Sequence, residues 1–170
     1  HEGELRMSGI KELNALFDRQ KSAFAANPCP SQKEREDRLD AIMGAVLGNR
    51  DRIHAAFKED FSAHPNAQAD FIEIFGVIER LYYAKSMLNV WMARDERETN
   101  PEMFGNSKAY VLAQPKGVIG NMLPWNFPFE VTLNKLGQAL ATGNTVVLKP
   151  APDTPWNATF LGKLVAERTD

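Results

Sequence analysis

The sequence predicts an α/β protein in which a run of helices precedes the start of an open, parallel β-sheet. Three observations support this fold class. Apolar residues recur at helical spacing through the first hundred residues. Past Pro101 the chain becomes rich in β-branched and aromatic residues, with proline and glycine between the segments. From residue 117 onward, strand-like and helix-like segments alternate, as in the repeating unit of an open α/β sheet.

The first helices are predicted from apolar spacing and from the residues that interrupt it. One helix carries a stripe from Ile10 to Phe24 and ends at "NPCPS". Ser31 followed by Glu34 is a capping box that begins the second helix, which Gly48-Asn49 interrupts. A short third helix follows and ends before Pro65, because proline cannot continue a helix.

A long helix is predicted from about Gln68 to Ala93. Its aromatic residues recur at helical spacing, which is typical of a core-facing stripe. The apolar members of the predicted stripe are Phe71, Ile72, Phe75, Ile78, Leu81, Tyr82, Met87 and Trp91. The charged run "ARDERET" that follows is predicted to be the solvated end of this helix.

The second part is predicted to contain strands at about 108–114 and 117–122. A helix then runs to Gly143-Asn144, and "TVVLKP" reads as a buried parallel strand. The last predicted helix has Thr154 as its N-cap and Pro155 at its first position.

Composition excludes several classes of function. The formal net charge of −2 gives no basic surplus for nucleic acid, and no apolar run approaches the roughly 18 residues of a membrane span. The single cysteine, Cys29, favours a reducing compartment, so we expect a cytoplasmic location. The three histidines lack the spacing of metal ligands, and no metal site is predicted.

The stretch "MLPWNFPFEV" raises the question of function, because two prolines stiffen a tryptophan and an asparagine. Ligands of open α/β sheets bind beyond the carboxyl ends of the strands. Residues 122–126 lie there after one strand, and Lys149-Pro150 after the next. The glycine fingerprint of dinucleotide-binding folds is missing. From pattern alone, two interpretations fit these residues equally well. One is a nucleotide-type site, and the other is a simple turn with a surface lysine beside it.

The segments "QPKGVIGNMLPWNFPF" and "ALATGNTVVLKPAPDTP" resemble the early signature of the aldehyde dehydrogenase superfamily in order and spacing. "RLYYAKSMLNVWM" is similar to the coniferyl-aldehyde branch. The resemblance implies three parts. Residues 1–107 would be the helical part of the cofactor-binding domain, 108–116 a strand of the oligomerisation arm, and 117–170 the first βαβα portion of the NAD(P)-binding domain. The catalytic domain is expected to be absent from these residues.

The resemblance also implies roles for individual residues. Asn126 would form part of the oxyanion hole and donate to the aldehyde oxygen. Lys149 would bond the adenosine ribose of the cofactor. The other residues expected at the cofactor are Met122, Leu123, Pro124, Trp125, Pro150, Ala151 and Pro152. Many members carry a glutamate at the position of Pro152, which grips the ribose 2′-hydroxyl and repels a 2′-phosphate. We therefore expect NAD or NADP as the cofactor, with NADP at least tolerated.

The family's reaction needs a nucleophilic cysteine and a glutamate that activates water on the thioester. Both belong to later motifs, and Cys29 lies upstream of the Pro-Trp-Asn stretch, in the wrong order. The 170 residues alone are therefore expected to be inactive. Family members are dimers or tetramers, so a homo-oligomer is expected. Two alternatives stay open: a non-catalytic nucleotide-binding or interaction fragment, and a relative that passes the thioester to coenzyme A.

Overall fold

The computed structural model describes residues 2–167, and its side chains from residue 9 onward. The α-helices of these residues are α1 (Glu2–Ala26), α2 (Gln32–Leu47), α3 (Arg50–Phe61), α4 (Asn66–Gln68), α5 (Gly76–Ser86), α6 (Leu88–Met92), α7 (Pro101–Phe104), α8 (Pro128–Ala141) and α9 (Pro155–Ala166). A π-helical segment, Ala69–Phe75, joins α4 to α5. The strands are β1 (Asp95–Arg97), β2 (Ala109–Val111), β3 (Val118–Met122) and β4 (Thr145–Lys149). Residue 1 of the predicted helical part and residues 168–170 of the predicted βαβα portion lie outside the described residues.

The predicted α/β arrangement is confirmed by the second part of the chain. Strand β3 pairs in parallel with β4, in a register that runs from Val118 opposite Thr145 to Met122 opposite Lys149. Helix α8 is the crossover between them, and α9 follows β4. Both α1 and α8 pack against this two-stranded sheet. The order strand, helix, strand, helix is the one that the sequence predicts.

The turns that precede β3 and β4 are joined by one buried amide. The Oδ1 atom of Asn144 accepts hydrogen bonds from the backbone N–H of Lys116 at 2.7 Å and of Gly117 at 3.0 Å. Gly143 has φ +83°, and a Cβ there would lie 2.9 Å from the Arg35 guanidinium. A side chain is therefore excluded at Gly143 by both backbone conformation and space. The predicted end of α8 at Gly143-Asn144 is confirmed.

The core forms where α2, α3, α5 and α9 pack around α8. It is built from aliphatic and phenylalanine side chains whose burial removes them from water. Its fully or nearly fully buried members include Leu39, Ile42, Val46, Ile53, Phe57, Val77, Leu81, Leu88, Phe129, Leu133, Leu136, Leu161 and Leu164. The capping box of α2 is confirmed, since the backbone N–H of Ser31 donates to Glu34 at 2.7 Å and the Ser31 hydroxyl accepts from the Glu34 N–H.

The prediction that the aromatic stripe of residues 68–93 faces the core is wrong. Phe71, Phe75 and Tyr82 are 71%, 55% and 67% exposed. The buried face of this segment carries residues that are not aromatic, and of these only Leu81 belongs to the predicted stripe: Ala69, Glu73, Ile74, Val77, Leu81, Ala84 and Leu88. The reason is a close approach of α8, where Gly137 faces Leu81. The single predicted helix is also divided, because a π-helical segment and a break at Met87 interrupt it.

The prediction that "ARDERET" is a helix end is also wrong. Asp95–Arg97 form β1, which pairs antiparallel with β2 so that Glu96 lies opposite Tyr110. The predicted strand at 108–114 is thus confirmed in kind but is shorter. All three residues of β1 are charged and exposed. The sequence therefore lacks the alternation of apolar and polar residues that would predict a strand here. The guanidinium of Arg94 lies 4.5 Å from the centre of the Tyr110 ring, which supports this ribbon.

Among residues 2–167, no helix combines the length and the apolar character that crossing a bilayer requires.

The contact between α8 and α5 generates a test of the core. A Cβ at Gly137 would lie 1.9 Å from Leu81 Cδ2, so Gly137→Ala forces Leu81 to move inside a packed core. We expect a loss of about 1–3 kcal/mol in the free energy of unfolding. The matched control is Gly162→Ala in α9, where nothing lies within 4 Å of the added carbon. Its higher helix propensity should stabilise the protein by up to about 1 kcal/mol. Urea denaturation measures both, and equal effects of the two substitutions would contradict this packing.

Candidate functional site

The carboxyl ends of β3 and β4 lie side by side. Met122 pairs with Lys149 in the sheet register, and the backbone N–H of Leu123 donates to the carbonyl oxygen of Lys149 at 3.1 Å. The chain then leaves β3 through a bend at residues 125–127 before α8 begins at Pro128. The two segments singled out in the sequence therefore meet at one edge of the sheet, where open α/β folds bind ligands.

Apolar residues line a narrow crevice between the two strand ends, and this crevice forms the floor of the candidate site. Leu123 and Ala151 are 8% and 6% exposed, and Pro124 and Pro150 line the crevice with them. Helices α8 and α9 close it from below through Thr132, Thr154, Asn157 and neighbouring side chains. Four of the predicted site residues are thus brought together, and they shape the backbone rather than offer polar groups.

The other predicted site residues are exposed to solvent and do not line the crevice. Met122 is 83% exposed and Trp125 is 55% exposed, while Asn126, Lys149 and Pro152 are exposed as well. Within the described residues, the side chains of Asn126 and Lys149 make no hydrogen bond or ion pair. An amide and an ammonium without partners at the carboxyl end of a sheet can donate to oxygen atoms of a bound molecule.

The N-terminus of α8 is capped by a residue that the sequence reasoning missed. Glu73 is 1% exposed, and its Oε2 accepts from the backbone N–H of Phe129 at 3.0 Å and of Glu130 at 2.8 Å. Burial raises the pKa of the Glu73 carboxyl to about 7, while the two N–H donors act in the opposite direction. A signal did exist, since Glu73 is a carboxylate on the inner face of an otherwise apolar stripe. The predicted aromatic stripe lies on a different face of the segment and does not include Glu73.

The N-terminus of α9 is satisfied in the same way. Thr154 is its N-cap as predicted, but the Thr154 side chain makes no capping hydrogen bond. Instead Asp60 of α3 accepts from the backbone N–H of Trp156 at 3.1 Å and of Asn157 at 2.8 Å. The buried side-chain amide of Asn157 donates to the same carboxylate at 2.7 Å.

These two caps limit how a nucleotide fits. In the dinucleotide-binding folds the pyrophosphate sits at the N-terminus of the helix that follows the first strand. Here the carboxyl groups of Glu73 and Asp60 already accept from the N–H groups at the N-termini of α8 and α9. The first N–H groups of both helices therefore already have acceptors, whereas the ammonium of Lys149 is exposed at the strand ends. The missing glycine fingerprint is consistent with this arrangement.

Cys29 lies at the opposite end of α8 from the candidate site. It is exposed in the loop before α2, next to Pro30, whose carbonyl accepts from Arg35 at 2.9 Å. Arg35 also donates to the carbonyl of Ala141, the last residue of α8, at 3.1 Å. Since a helix of this length spans roughly 20 Å, Cys29 is far from the turn that carries Asn126. The structure thus supports the expectation that Cys29 is not a nucleophile for this site.

Comparison with known families decides the family of the chain. The model of the aldehyde dehydrogenase family matches residues 3–169. The chain belongs to the aldehyde dehydrogenase family. This confirms the resemblance that the Pro-Trp-Asn and Gly-Asn segments indicate.

Individual relatives refine the picture. The chain is 32% identical over 157 residues to a probable coniferyl aldehyde dehydrogenase of Pseudomonas aeruginosa, which covers 92% of this chain and 33% of that protein. It is 38% identical over 136 residues to retinal dehydrogenase 2 of Gallus gallus, covering 79% of this chain and 25% of that protein. The chain therefore spans about a third or less of the length of these family members.

Solved structures of the family share the fold. Staphylococcus aureus AldH in a substrate-bound state superposes with a TM-score of 0.88 at 25% identity, over 93% of this chain and 34% of that one. An NADP-dependent enzyme of E. coli superposes with a TM-score of 0.81 at 27% identity, over 93% of this chain and 32% of that one. The predicted aldehyde dehydrogenase-like α/β fold is confirmed.

The capping of α9 by Asp60 generates a second test. Asp60→Ala removes the acceptor of two helix N–H groups and of the buried Asn157 amide. We expect the free energy of unfolding to fall by about 2 kcal/mol, since caps contribute 0.5–2 and the amide loses one of its partners. Glu59→Ala is the control, because Glu59 is exposed and adjacent. Its effect should stay within about 0.5 kcal/mol. Equal losses in thermal or urea unfolding would count against the cap.

Proposed function

We propose that the chain provides the oxyanion-stabilising and ribose-facing part of an NAD(P)-dependent aldehyde dehydrogenase. The observation that carries the proposal is the position of Asn126. It is an exposed amide without an intramolecular partner, on a proline-stiffened turn at the carboxyl end of β3, in a chain of this family. The reaction would convert an aldehyde and water to a carboxylate as the oxidised cofactor is reduced.

Each exposed residue has a role in this proposal. The Nδ2 atom of Asn126 donates a hydrogen bond to the aldehyde oxygen as it becomes negative in the thiohemiacetal. The Nζ atom of Lys149 donates to ribose hydroxyls. Trp125 and Met122 cover the cofactor with apolar surface, and Leu123, Pro124, Pro150, Ala151 and Pro152 shape the backbone beneath it. Bound NAD(P) would supply the acceptor for the hydride that leaves the substrate.

The remaining chemistry needs groups other than those at this edge of the sheet. A cysteine thiolate forms the thiohemiacetal and then the thioester, and a glutamate activates the water that releases the acid. Cys29 lies at the far end of α8, so we propose that both groups belong to polypeptide outside residues 1–170. On this proposal these residues alone do not oxidise aldehydes.

We propose an aromatic, coniferyl-type aldehyde as the substrate. Relatives named coniferyl aldehyde dehydrogenase match 91–95% of the chain, a larger share than the 79% matched by retinal dehydrogenase 2. Turnover of coniferyl aldehyde, set against retinal and short aliphatic aldehydes, tests this assignment.

We further propose a homo-oligomer, a dimer or a tetramer, in which the ribbon of β1 and β2 is the start of the oligomerisation arm. The ribbon is exposed along most of its length, with Tyr110 and Val111 46% and 53% exposed. Exposed apolar strands of this kind are candidates for pairing with another copy. Sedimentation analysis of a Val111→Lys variant tests the role of the arm.

A second candidate is a non-catalytic nucleotide-binding or interaction fragment. It is favoured by the β3–β4 sheet, whose outer edges are unpaired among the described residues. The intact mass of the purified protein separates the two. A mass well above 19.0 kDa supports the dehydrogenase, and a mass of 19.0 kDa supports the fragment. A relative that acylates coenzyme A would instead release a thioester in an assay with that acceptor.

Asn126→Ala tests the oxyanion role. In the intact enzyme we expect aldehyde oxidation to fall by about 10²–10³-fold in kcat, because one donor to the developing negative charge is lost. The melting temperature should not change, since the Asn126 side chain is exposed. Asn106→Ala, at an exposed turn in the loop between α7 and β2, is the matched control and should leave kcat unchanged. Wild-type turnover in Asn126→Ala would exclude this role.

Pro152 tests the cofactor preference. With no carboxylate at this exposed position, NADP should bind with a Kd within a hundredfold of that of NAD. Pro152→Glu should weaken NADP by about tenfold or more without weakening NAD, because a carboxylate repels a 2′-phosphate but accepts a hydrogen bond from a 2′-hydroxyl. Pro152→Gln is the control, because glutamine has the shape of glutamate without its charge. Isothermal titration measures these constants, and NADP binding more than a hundredfold weaker than NAD in the wild type would contradict the prediction.

A further inference from the structure

Glu73 is a buried carboxylate that the proposed reaction does not use. It belongs to the π-helical segment, fifty-six residues before the helix turn that it caps. Its side chain reaches the backbone N–H of Phe129 and Glu130 with a single oxygen, Oε2. Burying a carboxylate is costly unless hydrogen bonds compensate it, so these two bonds must matter where they are.

The first turn of α8 has no cap of its own. Phe127 precedes it with φ −142° and ψ 70° and has no capping side chain, and Pro128 has no N–H. The N–H groups of Phe129 and Glu130 are therefore the first donors of the helix, and both go to Glu73. The partial positive charge of a helix N-terminus favours a negative partner there.

Two hydrogen-bonded anchors flank the turn that carries Asn126. At one end the Leu123 N–H donates to the Lys149 carbonyl at 3.1 Å. At the other end, Glu73 holds the turn of helix that begins two residues after Asn126. The side chains of Trp125 and Asn126 make no hydrogen bond, ion pair or ring contact within the described residues. Their orientation therefore follows the backbone of the turn, which these anchors hold together with the packing of Leu123, Pro124 and Pro128.

We propose that Glu73 is a positioning residue of the candidate site, whose carboxylate holds the first turn of α8 and thereby orients the amide of Asn126 and the indole of Trp125. The inference rests on the proposed function in that it assigns Asn126 the role of donor. It adds a residue outside the Pro-Trp-Asn and Gly-Asn segments, which acts through the backbone of α8 and touches neither cofactor nor substrate.

Burial raises the pKa of Glu73 most, the two backbone N–H donors oppose it, and the charged groups nearby lie on α8, α5 and α3. From α8, Glu130 disfavours the ionised form, and Arg80 of α5 lies 3.3 Å from Glu130. On the α3 side, Asp70 accepts from Arg50 at 2.6 Å and contacts His54 at 2.7 Å.

The carboxyl of Glu73, with its pKa near 7, accepts more weakly when protonated. The anchor is thus strongest above pH 7 and weakens as the pH falls.

The experiment follows the anchor and the two side chains by NMR on the chain. The readouts are amide hydrogen exchange at Phe129 and Glu130, the side-chain amide signal of Asn126 and the indole N–H signal of Trp125, recorded from pH 5 to 8.5. Glu73→Gln keeps the shape of the side chain and removes its charge. Glu79→Gln, on the exposed face of α5, is the matched control. Because Glu73→Ala risks unfolding the protein, Glu73→Gln is the deciding variant.

In the wild type and in Glu79→Gln, we expect the Asn126 and Trp125 signals to shift with a midpoint near pH 7. In Glu73→Gln that midpoint should vanish, and exchange at Phe129 and Glu130 should rise about tenfold while core amides such as that of Leu39 do not change. Wild-type exchange in Glu73→Gln, or signals of Asn126 and Trp125 that do not follow residue 73, would overturn the proposal. None of these readouts needs a nucleotide or an aldehyde. A chain that binds neither NAD nor NADP yet shows them would refute the proposed function and leave the role of Glu73 standing.

Discussion

Helix α8 is held at both ends by buried charges, and the arrangement of the rest of the structure depends on this. The carboxylate of Glu73 receives the N–H groups of its first turn, and the guanidinium of Arg35 donates to the carbonyl of Ala141 at its end. Each charge matches the sign that the helix dipole requires. Because Arg35 belongs to α2 and Glu73 to the π-helical segment, these contacts attach the N-terminal helices to the crossover of the sheet. Gly137 then lets α5 approach α8 closely.

The same use of charge explains why the candidate site has the form it does. With Glu73 and Asp60 at the N-termini of α8 and α9, neither helix offers free N–H groups to a phosphate. What the sheet edge does offer are single exposed donors, Asn126 and Lys149, above a floor of proline and aliphatic residues. Such a surface suits hydroxyl and carbonyl oxygens better than a pyrophosphate, and this favours contact with the ribose side of a nucleotide.

The sequence is informative where structure depends on near neighbours. Apolar spacing, the Ser31–Glu34 capping box and the proline and glycine breaks predict the helices and the parallel pair of strands. The orientation of the aromatic helix is not predicted, because two stripes of equal period lie on it and only the approach of α8 decides which one is buried. Strand β1 is not predicted because its charged residues are exposed on both faces. Glu73, Arg35 and Asp60 are missed for a related reason: each acts on a backbone group more than fifty residues away.

Stability alone does not explain why a carboxylate is buried at position 73. An apolar residue there would avoid the cost of desolvating a charge, yet it would leave the N–H groups of Phe129 and Glu130 buried without acceptors. An exposed N-cap at position 127 would satisfy them more cheaply, but residue 127 is the phenylalanine between Asn126 and Pro128. The turn that presents Asn126 therefore cannot also cap its own helix. The cap has to come from elsewhere in the chain, and Glu73, on the inner face of the neighbouring helical segment, provides it.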